Sequence, residues 1–331
     1  MNAAYPSSMT VKYRWKLMRA ARFKLDGGSM FGLVPRVVWG KTTPTDERGR
    51  IDVQHNCLLL ERASSDPGDP PGPKLVVIEV GTGNKLDAKS RDIFALEDRS
   101  ILDSLQEENC RPEDIGAVIV THLHFDHAGG LTRLPRAGEK VSSEMNAVST
   151  FPNAEIYSQL REWNDAMANT SVMTRTYFRD HLLPVEDQMH LIDSARPFAS
   201  GYTPTRDEVP RAPAMQRITW LHGLNGATGV PGVGVLLVPG HTWGQQAIVF
   251  HDDKNRTVVF TPDVMPTVNH VGAAYSLAYD VEPYTSMVSR HWFLEAAAEN
   301  NWLLVLDHEP GNPVQRVRRK DLWYELTPDS V

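Results

Sequence analysis

The sequence predicts an α/β fold. Short apolar runs rich in Val, Ile and Leu recur along the chain, stretches with helical spacing separate several of them, and a polar turn bearing His or Asp follows four of the runs. With 331 residues, 41% of them apolar, the chain can bury a full core, and a single domain is expected over residues 1–331.

In chain order, Lys12, Arg14 and Lys16 alternate with Val11, Tyr13, Trp15 and Leu17, the period of a half-buried strand with a solvated basic face. Apolar runs at Cys57–Leu60 and Leu75–Val80, parted by a Ser, Asp, Pro and Gly tract, read as strand, loop, strand. Ile93, Leu96, Ile101, Leu102 and Leu105 follow at helical spacing, and "IGAVIV" then reads as a buried strand that ends at "THLHFDHAGG", residues 121–130. Between residues 152 and 230 the pattern weakens. There "AEIYSQLREWNDAMA" and "VMTRTYFRDHLL" look like amphipathic helices before a Pro-rich loop, and a lid-like insertion is expected. Strand character returns in "VGVLLVPGHTWGQQAIVFHDD" and "RTVVFTPDVMP", and the tail adds a helix, a strand at Leu303–Leu306 and then His308.

Composition narrows the partners. Acidic residues outnumber basic ones 41 to 34, a net charge of −7 that offers no general attraction for nucleic acid or anionic lipid, so a small molecule is the expected partner. No apolar run approaches the ~20 residues needed to span a bilayer, and no signal-peptide core is present, so a soluble cytoplasmic protein is expected. Cys57 and Cys110 are too few and too far apart for a CxxC motif or a disulfide framework and are expected as free thiols.

The chemistry concentrates in residues 122–127, which hold three of the chain's 12 histidines. In an extended segment His122 and His124 project to one side and can bind one ion, while Asp126 and His127 on the turn beyond can face a second. One cluster supplies too few ligands for two ions. His241, Asp263 and His308, each just past a strand, are the natural completions. Gly129 and Gly130 let the turn after the cluster pack closely.

HxHxDH followed by Ala-Gly-Gly, then "PGHTWGQ", "FTPD" and a late "DH", resembles the metallo-β-lactamase superfamily of metallohydrolases, in the same order along the chain. The resemblance implies an αββα sandwich, two mixed sheets face to face with helices outside and two divalent ions, zinc by expectation, at one edge. It implies that His122, His124 and His241 hold one ion, that Asp126, His127 and His308 hold the other, and that Asp263 bridges them. A hydroxide between the ions is then the nucleophile, with Asp126 and Asp263 as the catalytic carboxylates. The sequence departs from the family at Glu79 in "VIEVGTG", where an Asp is usual.

"LDGGSMFGLVP", "MPTVNHVGAAYSLAYDVEP" and "DHEPGNPV" further resemble the branch holding the quorum-quenching N-acyl homoserine lactonases and the chlorothalonil hydrolytic dehalogenase. The expected reaction is hydrolysis of a lactone such as an acyl homoserine lactone. The alternatives are hydrolytic dehalogenation of an activated chloroaromatic, an esterase or phosphotriesterase, or a metal-binding regulatory protein without turnover. Trp243, Tyr177, Tyr202, Phe31 and His270 are the expected substrate contacts, Trp243 because it lies two residues past His241. An N-terminal extension over about residues 1–30 and the insertion over about 152–230 are candidates for a homodimer contact.

Overall fold

In the computed structural model, which describes residues 11–63, 68–141, 145–168, 175–199, 201–202, 213–223 and 228–331, strands account for most of the order. They are β1 (Tyr13–Asp26), β2 (Arg50–Arg62), β3 (Leu75–Ile78), β4 (Ala117–Ile119), β5 (Thr132–Arg133), β6 (Val148–Ser149), β7 (Glu155–Gln159), β8 (Met189–Ile192), β9 (Thr219–Trp220), β10 (Val233–Leu237), β11 (Gln246–His251), β12 (Thr257–Thr261), β13 (Leu303–Leu306), β14 (Val314–Lys320) and β15 (Trp323–Pro328). The helices are α1 (Gly27–Phe31), α2 (Arg36–Trp39), α3 (Ala88–Phe94), α4 (Ile101–Glu107), α5 (Phe125–Ala128), α6 (Leu160–Ala168), α7 (Arg179–Leu182) and α8 (Pro283–Glu299). Among the described residues, no helix is long and apolar enough to cross a membrane.

One sheet runs β1-β2-β3-β4-β7-β8 and a second β15-β14-β13-β12-β11-β10-β9. Both are mixed: β3, β4, β7 and β8 are mutually parallel, as are β12 and β13, and the remaining pairings are antiparallel. Alternation of side chains decides which residues meet. Leu58, Leu60, Val76, Ile78, Ala117 and Ile119 of the first sheet close against Val235, Ile248, Phe250, Val258, Phe260 and Val305 of the second. The intervening residues Leu59, Val77, Val118 and Ile156 face outward and are covered by Ile101 and Leu105 of α4 and Trp163 of α6. On the other outer face Leu236, Val249, Val259 and Leu304 pack under Val288, Trp292, Phe293 and Ala297 of α8. The result is the αββα sandwich, and its strands read as continuous apolar runs because both of their faces are buried.

Several elements differ from expectation for identifiable reasons. Residues 13–26 are an integral edge strand paired along β2, not an extension outside the core. Its basic residues lie on the solvent side, where Arg14 meets Glu61 and Lys16 meets Glu108. The helix expected through Ile93 and Leu105 is two helices. Ala95 takes a left-handed conformation that ends α3, and the Ser100 and Asp103 capping box starts α4. In residues 152–230 "EIYSQ" is strand β7 and only "LREWNDAMA" is helix α6, while β8 and β9 extend the two sheets. Much of this region is therefore part of the sandwich, and it escaped the sequence pattern because a five-residue run is too short to separate strand from helix by period alone. Of the second expected helix, only Arg179–Leu182 is an α-helix, and residues 172–174 lie outside the described residues, as does half of the Pro-rich loop. Cys57 is buried, Cys110 half-buried, and both are free.

Candidate metal centre

The ligand candidates stand just past the carboxyl ends of four strands: residues 122–127 after β4, His241 after β10, Asp263 after β12 and His308 after β13. Strand ends from both sheets therefore converge at one edge of the sandwich, where loops can aim side chains while the sheets hold them still. One group comprises His122, His124 and His241, with a potential ligand atom of each within 4.8 Å of the others. A second comprises His127, Asp263, Asp307 and His308 on the same criterion. The groups adjoin, since the His122 and His127 rings are 3.9 Å apart between centroids and His241 Nε2 lies 3.1 Å from Asp263 Oδ2. Asp126 Oδ2 lies 3.7 Å from His308 Nε2 and 4.0 Å from His127 Nε2. The structure thus gathers His122, His124, Asp126, His127, His241, Asp263 and His308 at one place.

Hydrogen bonds behind the rings fix which nitrogen faces inward. His308 Nδ1 donates to the Gln54 carbonyl oxygen at 3.0 Å, and His127 Nδ1 to Glu79 Oε2 at 3.1 Å. With the Nδ1 atoms committed there, both Nε2 atoms are turned inward and face each other at 3.1 Å, where they can share a proton or, once it is displaced, a cation. His241 is set the same way, Nδ1 donating to Asp280 Oδ1 at 2.9 Å while Nε2 stands 3.0 Å from His124 Nδ1. In addition, His122 Nε2, His124 Nε2 and Asp263 Oδ1 are buried with no hydrogen-bond partner among the described residues. Buried ring nitrogens and carboxylate oxygens left without partners are costly, and a bound cation relieves that cost. The residues therefore fit two divalent ions of the kind that accept imidazole and carboxylate together.

The electrostatics agree. Burial, reinforced by neighbouring imidazoles, holds His122, His124 and His308 well below the usual histidine range, so these rings stay neutral and able to ligate. His127 goes the other way: burial pulls it down, but Glu79, Asp126 and Asp263 outweigh burial and raise it. Burial pushes Asp263 up to about 7 and Asp307 well above the carboxylate range.

The Glu79 departure has a structural account. Its backbone is left-handed, φ 64°, and the longer side chain reaches both the Thr121 backbone N–H and His127 Nδ1, bracing the ligand loop at two points. Behind the loop, Lys85 Nζ donates to the carbonyls of Gly129 and Thr132 at 2.5 and 2.7 Å. Burial brings this lysine down to about 7. A Cβ on Gly129 would stand 2.1 Å from the Thr82 carbonyl oxygen, so the close packing expected of this glycine is a hard steric requirement. Glu162 of α6 accepts from the Leu123 N–H at 3.0 Å and from the Tyr177 hydroxyl at 3.1 Å. Asp280, Glu162 and Asp307 were not singled out by sequence reasoning. Asp280 and Asp307 lie inside motifs that were, but nothing local marks Glu162.

The expected substrate contacts are placed unevenly. Trp243 is half-buried, its Nε1 donating to Glu282 Oε1 at 2.7 Å and the Arg161 guanidinium 5.0 Å over its ring. Tyr177 packs on His124 at 5.1 Å with its hydroxyl committed to Glu162, which makes it a brace for the ligand loop. Tyr202 packs on Phe198, part of the cluster outside the second sheet. Phe31 and His270 correct the expectation. Both are 0% exposed; Phe31 is enclosed by Trp39, His270 and Tyr275, and both His270 nitrogens are taken, by Thr267 Oγ1 and the Met30 carbonyl at 2.8 Å each. Neither presents surface to a substrate.

Two sheets that bring a histidine- and carboxylate-lined centre to one edge define a metal-dependent hydrolase as the class of protein. The chain belongs to the metallo-beta-lactamase superfamily, whose family model matches residues 50–308. Among curated proteins no sequence relative matches. Solved structures do. A probable metal-dependent hydrolase from Staphylococcus aureus superposes with a TM-score of 0.70 at 23% identity, over 98% of this chain and 100% of that one. AidC, a dizinc quorum-quenching lactonase, gives 0.65 at 15% identity over 98% and 99%. A quorum-quenching N-acyl homoserine lactone lactonase gives 0.60 at 20% identity over 91% and 94%. At these identities the likeness is one of fold.

Proposed function

We propose that this protein is a dinuclear metal-dependent hydrolase that opens the ring of a lactone, with acyl homoserine lactones as the first substrates to test. The observation that carries the hydrolase reading is the pair of adjoining buried groups of His and Asp whose potential ligand atoms converge within each group. His122, His124 and His241 would hold one ion and Asp126, His127 and His308 the other, with Asp263 between them. Zinc is the ion we propose. Bound there, two divalent ions supply Lewis acidity and a water acidified to near-neutral pKa.

The chain's own residues supply the rest. Gln54, Glu79 and Asp280 keep the ring protons on the outward nitrogens, so the inward ones stay basic. To Asp126, 9% exposed, we assign the uptake of the proton from the attacking water and its return to the leaving alkoxide as the ring opens. Trp243 is the residue we assign to the wall of the substrate site. The lactone choice rests on the sequence branch and on the lactonases among the structural neighbours.

The test is turnover of the zinc-reconstituted protein on long- and short-chain acyl homoserine lactones, a thioester, a phosphotriester and a chlorinated aromatic nitrile, beside Asp263→Ala and His122→Ala. Lactone opening that disappears in both variants is expected. Chloride release without lactone opening would replace the substrate assignment with dehalogenation, and ring opening that persists in both variants would overturn the proposed centre.

A further inference from the structure

The second group of candidate ligands contains a residue that the seven-residue set does not, Asp307. It follows directly on β13 and precedes His308; its backbone carbonyl accepts the Asn56 N–H at 2.9 Å, which fixes its place in the chain. The side chain belongs to a residue only 2% exposed, and apart from a proton it can share with the Asp263 carboxyl, neither of its oxygens meets a hydrogen-bond donor among the described residues. Its neighbour is the Asp263 carboxyl, another acceptor with an orphaned oxygen. A buried carboxylate with no donor, set beside a second carboxylate, destabilises the protein unless a cation lies between them. A ligand oxygen of Asp307 lies within 4.8 Å of ligand atoms of His127, Asp263 and His308, so one ion can be reached from all four.

We infer that Asp307 is an additional ligand residue of the second ion, and that it makes the two metal positions chemically unequal. This inference rests on the metal-centre reading above. The first position is drawn from three imidazoles, whereas the second combines His127 and His308 with Asp126, Asp263 and Asp307. Carboxylate-rich sites favour harder, oxygen-seeking ions, so the second position accepts manganese where the first retains zinc.

The experiment strips the full-length protein with a chelator and measures uptake of zinc and of manganese, separately and together. Elemental analysis and chelator competition are applied to wild type, Asp307→Asn, Asp307→Ala and His122→Ala. Wild type is expected to bind two ions per chain, with manganese competing at one position only. Asp307→Asn and Asp307→Ala should weaken the second ion by roughly 10- to 100-fold while the first keeps its affinity. His122→Ala should do the reverse. Melting of the chelated proteins adds a readout that a merely structural role would not give. Asp307→Asn, which keeps the shape and the hydrogen-bonding capacity toward Asp263, is expected to leave the melting temperature of the metal-free protein near that of wild type while the second ion is weakened, whereas a merely structural role would lower metal-free stability and spare the affinity. Two ions held equally well by wild type and both Asp307 variants would overturn this inference and leave the metal centre standing. Uptake of no ion by wild type would overturn both.

Discussion

Glu79→Gln is the most informative single change, because it alters charge and proton position with almost no change in shape. The carboxylate accepts from the Thr121 N–H through one oxygen and from His127 Nδ1 through the other at 3.1 Å. In the variant the amide oxygen can keep the Thr121 contact, which leaves the amide N–H₂ facing His127 Nδ1. Two donors cannot share that line, so His127 must move its proton to Nε2, the atom that faces His308 Nε2 at 3.1 Å. The inward lone pair is then lost or is recovered only by breaking the brace. Changes of this kind behind a ligating histidine cost roughly 10- to 100-fold in metal affinity, about 1.4–2.7 kcal/mol. The loss should fall on the second ion and spare the first, whose rings are hydrogen-bonded to Thr121, to Asp280 and to each other, not to Glu79. The assay is chelator competition on the reconstituted variant, with far-UV circular dichroism as a check of folding. A folded Glu79→Gln protein that binds both ions with wild-type affinity would refute the account of how His127 is oriented.

Gly129→Ala would drive a methyl group to 2.1 Å from the Thr82 carbonyl oxygen, and urea unfolding should show a loss of about 1–3 kcal/mol or more. Acid should destabilise the chelated protein in part through His270, which burial and then Arg290 lower to about 3. As pH falls below the unfolded value of ~6.5, the unfolded chain takes up a proton that the folded state refuses, so stability declines. By pH 5 this amounts to about 2 kcal/mol from His270. The same pH series on His270→Gln should show a shallower decline, and an unchanged slope would contradict the burial argument. Chelation of the metal-loaded protein should lower its unfolding free energy by about 3 kcal/mol per site filled at a hundredfold excess over Kd, read as a fall in melting temperature on adding chelator. Lys85→Met should leave the Gly129 and Thr132 carbonyls without their donor and lower stability by about 1–3 kcal/mol in the same unfolding assay.

By itself the sequence determined the class of the fold, the order of the His- and Asp-bearing motifs and the residues that the structure gathers at one edge. These are local properties: an apolar run such as "AVIV" reads as a buried strand wherever it lies, and His122, His124, Asp126 and His127 share one short turn. The placement of His241, Asp263 and His308 past strands was legible for the same reason. What only the tertiary structure decided depends on residues far apart in the chain. The run "EIYSQ" is too brief to distinguish strand from helix until β4 and β8 pair with it. Tyr13–Asp26 becomes an integral edge strand only through its register with β2. Whether His270 faces a substrate or the core is settled by Met30, 240 residues away, and the proton on His308 by Gln54, 254 residues away. Asp307 sits beside a recognised histidine, yet its chemistry appears only when β12 brings Asp263 against it. Metal chemistry is carried by residue type, which a sequence displays directly, whereas protonation, burial and partnership come from neighbours that folding alone supplies.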